Sequence, residues 1–192
     1  MRRMATFAVV LLVCSVSAKA QSSYPKAELF GGYSYLNVEG ENTLGVDRQS
    51  LHGVGFSVAG NLSKSFGIAG DFSYNVKNNI EVGPFNVDLN AFYFLFGPRF
   101  LWRTSSEATP FVHALVGGVR SKTHLTGFGA SRETDFAMGF GGGLDVKVHK
   151  MIAIRAFQAD YLPTRVDDLV GDKKWVHHFR AQAGVVFNFG AD

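Results

Sequence analysis

A stretch of twelve residues, from Asp135 to Val146, alternates two kinds of side chain and constrains the fold more than any other part of the chain. Its even positions, apart from Gly142, carry the bulky apolar residues Phe136, Met138, Phe140, Leu144 and Val146. Its odd positions are small or acidic, and they are Asp135, Ala137, Gly139, Gly141, Gly143 and Asp145. A period of two predicts a β-strand with two chemically different faces. Because a soluble sheet rarely covers its outer face with glycine and a lone aspartate, the pattern favours a narrow barrel whose apolar face contacts lipid.

Seven further segments show strand-like patterning. The eight predicted strands cover 26–38, 50–61, 66–77, 86–101, 110–121, 134–148, 151–162 and 175–189. The intervening segments 39–49, 78–85, 122–133 and 163–174 are long and polar, whereas 62–65, 102–109 and 149–150 are mostly shorter. Alternating loop lengths are typical of an up-and-down barrel. Since lipid offers no hydrogen bonds to a free strand edge, we predict an all-β fold, an eight-stranded antiparallel up-and-down transmembrane β-barrel.

The alternation changes parity in two of these strands. In the fourth strand the apolar positions change from odd to even near residue 90, after Leu89. In the seventh strand the polar positions change near residue 157, between Arg155 and Gln158. We expect a β-bulge near each of these points, and a different strand register is the alternative.

Aromatic residues are placed where the rims of such a barrel would meet the membrane surface. Tyr and Trp favour the boundary between membrane and water. The residues assigned to the rims are Tyr33, Tyr35, Tyr74, Tyr93, Trp102, Tyr161, Trp175, Phe187 and Phe189.

The first 20 residues have the pattern of a secretory signal peptide. Arg2 and Arg3 form a basic start, an apolar run covers 5–16, and Ala18-Lys19-Ala20 matches a small-x-small cleavage site. We expect residues 1–20 to be cleaved, residues 21–192 to form the barrel, and export to follow the general secretory route. Lipidation at Cys14 is the competing interpretation, disfavoured by the bulky Val13 before it.

Removal of residues 1–20 changes what the charge implies. The segment holds three of the 19 basic side chains and none of the 16 acidic ones, so residues 21–192 have a formal net charge of zero. The overall basic character therefore gives no support for a nucleic-acid partner. The single cysteine also leaves with the segment, so no disulfide is expected in the barrel.

The polar face of the strands places charged residues inside the barrel. They are Glu28, Asp71, Arg99, Asp145, Arg155 and Arg180. An eight-stranded barrel has an interior only just filled by its own side chains, and an unpaired buried ion is costly, so we expect these charges to pair. We interpret this network as a plug, and a polar path for small solutes or ions is the alternative. The glycines at 139, 141 and 143 are expected to make room for arginine side chains.

Residue types that would support catalysis or metal binding are poorly arranged. A lipid-modifying enzyme would need a His with a Ser or an acid near the membrane surface, and His52 with Ser50 is a weak candidate. His177 and His178 are adjacent in a strand and point to opposite faces, so they cannot bind one ion together. We predict a protein that is not an enzyme and has no cofactor or metal site.

Three segments carry a resemblance to a known family: Ala27-Glu28-Leu29-Phe30-Gly31-Gly32-Tyr33-Ser34-Tyr35, Gly97-Pro98-Arg99-Phe100 and Gln158-Ala159-Asp160-Tyr161. They resemble the small outer-membrane β-barrel proteins related to the OmpA transmembrane domain. The resemblance implies a bacterial outer membrane of the Gram-negative type, surrounding lipid and lipopolysaccharide, and insertion by the barrel-assembly machinery with periplasmic chaperones. The chain departs from family members that end on an aromatic residue, because Phe189 is followed by Gly190, Ala191 and Asp192.

Three hypotheses for the function follow. The first is a structural or surface-interaction barrel that contacts its surroundings through four long extracellular loops. The second is a narrow pore or solute channel. The third is a soluble ligand-binding barrel in the periplasm, which would turn its Phe residues inward and leave Asp71 and Asp145 in water.

Overall fold

The chain folds into a closed β-barrel in a computed structural model that describes residues 24–38, 49–82, 85–125, 129–167 and 173–190. The strands are β1 Ala27–Val38, β2 Gln49–Asn61, β3 Phe66–Val82, β4 Phe85–Leu101, β5 Ala108–Leu125, β6 Gly129–His149, β7 Ile152–Asp167 and β8 Lys173–Phe189. Each strand pairs antiparallel with the next, and β8 pairs with β1. The predicted eight-stranded antiparallel barrel is therefore confirmed.

The two ends of the barrel differ in how the strands are joined. At the end that we call the turn end, 62–65, 102–107 and 150–151 connect the strands, and the first residue of β1 pairs with the last residue of β8. At the opposite end, the hairpin end, the strands run further than predicted. The predicted loops 78–85, 122–133 and 163–174 are largely replaced by strand, because β3, β5 and β7 continue to Val82, Leu125 and Asp167. Main-chain hydrogen bonds pair the strands in these segments although many of the residues are polar. Polar residues show no apolar alternation, so the sequence pattern did not predict the extra strand residues.

The described side chains follow the predicted inside-out arrangement. The apolar side chains exposed on the outer surface include Val54, Phe56, Ile68, Phe92, Phe96, Val112, Val116, Phe136, Phe140, Ile154, Phe157 and Phe179. Charged residues such as Asp71, Asp145 and Arg180 are buried inside. This is the reverse of what a soluble ligand-binding barrel requires, so the arrangement disfavours that hypothesis.

One of the two expected bulges is present where the sequence predicted it. In the pairing of β7 with β8, Arg155 lies opposite Gly184 and Gln158 opposite Gln182, so two residues of β7 oppose one residue of β8. This bulge explains why Arg155 and Gln158 are both buried although they have opposite parity.

The bulge expected in β4 near residue 90 was wrong. The register of β4 with β5 is unbroken from Val87 to Phe96, and the irregularity in this region lies on β3, between Lys77 and Ile80. The described odd positions of β4, from Leu89 to Leu101, stay on the inner face, and the interior next to Leu89 is itself apolar. Leu89 packs against this apolar interior instead of changing face.

Most of the aromatic residues assigned to the rims do lie on the outer surface. Tyr33, Tyr74, Trp102 and Trp175 are exposed there, and so are Phe187 and Phe189 near the turn end. Tyr93 is the exception, because it is only 2% exposed and lies inside the barrel. Its odd parity on β4 requires this position, so its assignment to the rim was wrong.

Some expectations concern residues outside the described part of the chain. They include the signal peptide at 1–20 and the loop at 39–48. Among the described residues, no helix has the length and apolar character needed to cross a membrane.

Candidate functional site

A continuous network of ion pairs fills the half of the interior nearest the turn end. Glu28 on β1 accepts hydrogen bonds from Arg99, at 2.5 Å, and from Arg103. Arg99 also donates to Asp145, with 2.9 Å between Nη2 and Oδ2. On its other oxygen Asp145 accepts from Arg155, at 2.8 Å from Nε. Each of the two carboxylates therefore contacts two guanidinium groups, which offsets the cost of burying it.

The network continues towards the middle of the barrel. Gln158 accepts a hydrogen bond from Arg155 at 2.7 Å and donates one to Asp160 at 2.8 Å. Arg180 then pairs with both Asp160 and Asp71, each at 2.7 Å. Arg180 is among the largest fully buried side chains, and its planar group spans the bore between two carboxylates on different strands.

Aromatic rings hold two of the guanidinium groups from the side. The guanidinium carbon of Arg99 lies 4.1 Å from the centre of the Phe111 ring, and that of Arg155 lies 4.5 Å from the same ring. Arg155 also lies 4.4 Å from the ring of Phe30. These cation–π contacts add attraction in a site without bulk water and leave little freedom for either side chain to move.

All six residues assigned to the interior by their parity are buried there, and the structure brings them into one network. Three further ionisable members were missed, namely Asp160, His113 and Arg103, and so was the linking amide of Gln158. His113 Nε2 lies 2.8 Å from Asp160 Oδ1. The bulge in β7 moves Asp160 to the inner face, and the parity change itself was the signal that could have identified it. Arg103 comes from the turn at 102–107, where strand alternation gives no information.

The glycines of β6 make room for partners other than those expected. A Cβ atom at Gly141 would lie 2.1 Å from Oδ1 of Asp160, and one at Gly139 would lie 3.0 Å from Leu95. The space is therefore used by a carboxylate and a leucine, and the expectation that arginines occupy it was wrong. The sequence predicted that these glycines leave space inside the barrel. Which side chain fills that space depends on the neighbouring strands.

A cluster of buried apolar side chains, the apolar layer, lies in the half of the interior nearest the hairpin end. It consists of Leu36, Leu51, Tyr93, Leu95, Leu115, Val119, Ala137 and Leu162. Between the layer and the ion pairs, the cavity next to Arg99 and Gln158 has a volume of about 10 Å³. That is close to the smallest volume that holds one water molecule.

A larger polar cavity of about 240 Å³ opens at the turn end. Glu28 and Asp145 lie at its inner boundary, and Arg103, Lys64 and Lys150 line it further out. Burial lowers the pKa of the Arg103 guanidinium below its ordinary value, and the neighbouring Glu28 opposes that shift. Among the described residues, no group of His, Cys, Asp or Glu has the arrangement of a metal site.

Solved structures with the same fold include proteins from Yersinia, Neisseria and Pseudomonas. The attachment invasion locus protein Ail of Yersinia pestis superposes with a TM-score of 0.62 at 18% identity, covering 86% of this chain and 99% of that one. Neisserial surface protein A gives a TM-score of 0.62 at 15% identity, covering 88% and 100%. The outer membrane protein OprG of Pseudomonas aeruginosa gives 0.58 at 10% identity, covering 90% and 100%.

Sequence comparison identifies the family independently of these folds. No curated protein sequence matches the chain. The profile of the outer membrane protein beta-barrel domain, however, matches residues 6–189, which span all eight strands. The apolar outer surface, the closed sheet and the buried charges agree with that match. The chain therefore belongs to the outer membrane protein beta-barrel domain family, and its place is the bacterial outer membrane.

Proposed function

We propose that this protein is a closed, non-conducting outer-membrane barrel that acts through the surface it presents outside the cell. The observation that supports the proposal is the presence of two sets of buried side chains in the bore, each of which we interpret as a block. One block is the network from Glu28 to Arg180, and the other is the apolar layer around Leu95 and Leu115. A barrel that transports solutes would need an open lumen, so the functional surface is the hairpin end.

The shape of the hairpin end supports a role in contact. The pairs β3–β4, β5–β6 and β7–β8 continue to Val82, Leu125 and Asp167, whereas β1 ends at Val38. On β5, for example, the strand continues for five residues from Arg120, near its predicted end, to Leu125. This extension is about 16 Å long. The proposed contact surface therefore consists of the three hairpins β3–β4, β5–β6 and β7–β8, together with the connection between β1 and β2 at 39–48. Ail, which shares the fold, is named for attachment and invasion, and one of its structures holds a heparin analogue.

The proposal includes a route to the membrane. Residues 1–20 would act as a cleaved signal peptide for the general secretory route, and residues 21–192 would form the barrel. Periplasmic chaperones and the barrel-assembly machinery would then insert it, with the turn end in the periplasm. Cleavage after Ala20 predicts that the purified barrel begins at Gln21, which N-terminal sequencing would show. An N-terminus at Cys14 would contradict this cleavage site.

Conductance is the direct test of the blocked interior. We expect the full-length barrel, purified and reconstituted into a planar bilayer, to show no unitary current steps. The boiled and unboiled forms should migrate differently in an electrophoretic gel, which controls for folding. Regular steps from a folded sample would contradict the proposal and support the narrow pore.

The proposed orientation predicts which connections can be reached from outside. An epitope tag inserted between Val38 and Gln49 should bind antibody on intact cells, because that connection lies at the hairpin end. A tag inserted between Lys150 and Met151 should bind only after the outer membrane is permeabilised. Flow cytometry measures both. Labelling in the reverse pattern would show that the barrel is inserted the other way round.

A further inference from the structure

The polar cavity at the turn end collects a basic side chain from each of the three turns there. Lys64 lies in the turn between β2 and β3, Arg103 in the turn between β4 and β5, and Lys150 in the turn between β6 and β7. Lys147, near the end of β6, is a fourth basic residue of the lining. Turns that are far apart in sequence therefore bring positive charge to one cavity of about 240 Å³.

Three of these four cations are free to bind a ligand. Arg103 is held in place, because it donates to the Glu28 carboxylate and, at 2.8 Å, to the main-chain carbonyl of Lys64. The ammonium groups of Lys64, Lys147 and Lys150 have no hydrogen-bond or ion-pair partner among the residues that the structure describes. A cleft lined by charges of one sign attracts ions of the opposite sign, so the cavity favours an anion.

The acidic residues of the lining do not cancel this charge. Glu28 and Asp145 lie at the inner boundary, where each already contacts two guanidinium groups. Glu107 is the remaining acid of the described lining, and it has no cationic partner within the described part of the chain. One free carboxylate therefore faces three free ammonium groups, and the outer part of the cavity stays positive.

The rest of the lining suits a phosphate group. Thr109 provides a hydroxyl and Asn188 an amide, and both can donate to oxygen. A phosphate ester offers three strong acceptor oxygens to several donors at once. Because lysine has a flexible four-carbon stem, ammonium groups from different turns can approach one anion. The cavity volume is many times the roughly 10–15 Å³ that one water molecule requires, so a ligand larger than a simple ion fits.

We propose that the cavity at the turn end binds a small phosphate ester of the glycerol phosphate type. Lys64, Lys147 and Lys150 bind the phosphate, while Thr109 and Asn188 contact its oxygens or the hydroxyls of the glycerol. In the orientation proposed above, the cavity opens to the periplasm. The same chemical group is available there from two sources, a free phosphate ester and the headgroup of phosphatidylglycerol in the inner leaflet.

Isothermal titration calorimetry of the purified barrel in a neutral glycoside detergent tests the proposal, with glycerol 3-phosphate as the probe. The wild type should bind it saturably. Lys64→Gln and Lys150→Gln should each weaken binding roughly ten-fold, as expected when one charge-assisted hydrogen bond is lost. Glycerol, which lacks the phosphate, should not bind measurably. Succinate, a dicarboxylate of similar size, should bind about ten-fold more weakly than glycerol 3-phosphate because each carboxylate offers only two oxygens.

Phosphatidylglycerol added to the same micelles distinguishes the two sources. Displacement of glycerol 3-phosphate by the lipid would assign the site to a lipid headgroup. Continued binding at unchanged affinity would assign it to a free phosphate ester. Either result supports a phosphate site at the turn end.

Lys122→Gln is the matched control, because it removes an exposed lysine on β5 near the hairpin end and should bind glycerol 3-phosphate like the wild type. The proposal would be overturned by a wild type that shows no saturable binding, by equal affinities for succinate and glycerol 3-phosphate, or by K122Q weakening binding as much as K64Q. The gel shift on boiling reports folding of each variant. Binding in detergent depends on neither conductance nor orientation, so its failure would leave the proposed function intact.

Discussion

Replacing Arg180 by Gln is expected to lower the free energy of unfolding by about 3–5 kcal/mol, because it leaves two buried carboxylates without their cation. Arg180 is fully buried and pairs with Asp71 and Asp160 at 2.7 Å each. Gln is too short to span the bore and carries no charge, so both acids would have to become protonated or draw in water. Urea unfolding in lipid vesicles, followed by tryptophan fluorescence, measures the loss.

Two further variants separate the ionic effect from a general packing defect. Lys64→Gln removes an exposed charge in the turn at 62–65 and should change stability by less than about 0.5 kcal/mol. Adding Asp71→Asn to R180Q should recover part of the loss, since it removes one of the two unpaired acids. If R180Q unfolds at the same urea concentration as K64Q, the network makes no net contribution to stability.

Replacing Val116 by Arg is expected to lower the free energy of unfolding by about 2–4 kcal/mol, the cost of a cation at the middle of a bilayer. Val116 is 54% exposed on β5. It lies six residues from Pro110, whose carbonyl accepts a hydrogen bond from the amide of Trp102 at the turn end. Six tilted strand residues cover about 15 Å in depth, half of the hydrocarbon core. On a soluble protein the same substitution at an exposed position would be nearly neutral.

The same substitution near the membrane surface provides the control. Val148 is 61% exposed next to the turn at 150–151, so Val148→Arg should cost only about 0–1 kcal/mol. Both variants can be unfolded with urea in the same lipid vesicles. Equal stabilities for V116R and V148R would contradict immersion of this face in lipid, whatever the family match indicates.

Period-two alternation was sufficient to predict which residues lie inside and which outside over most of the barrel. It works because a strand has only two faces and because lipid excludes polar side chains from one of them. The same rule placed Glu28, Asp71, Arg99, Asp145, Arg155 and Arg180 on the inner face. It failed at Tyr93 and near Leu89, because apolar residues were assumed to point outward and the interior beside them is also apolar.

The sequence by itself determined the outward apolar surface and the bulge in β7, since both follow from the alternation of side chains along single strands. It also determined the closed eight-stranded barrel, because eight such strands in lipid cannot leave a free edge. Only the tertiary structure decided which acid meets which arginine, because partners such as Arg180 and Asp71 lie on strands far apart in sequence. It also decided the entry of Arg103 from a turn and the position of the apolar layer. These features depend on register and shear between strands, which bring distant residues to the same depth and leave no mark within any one strand.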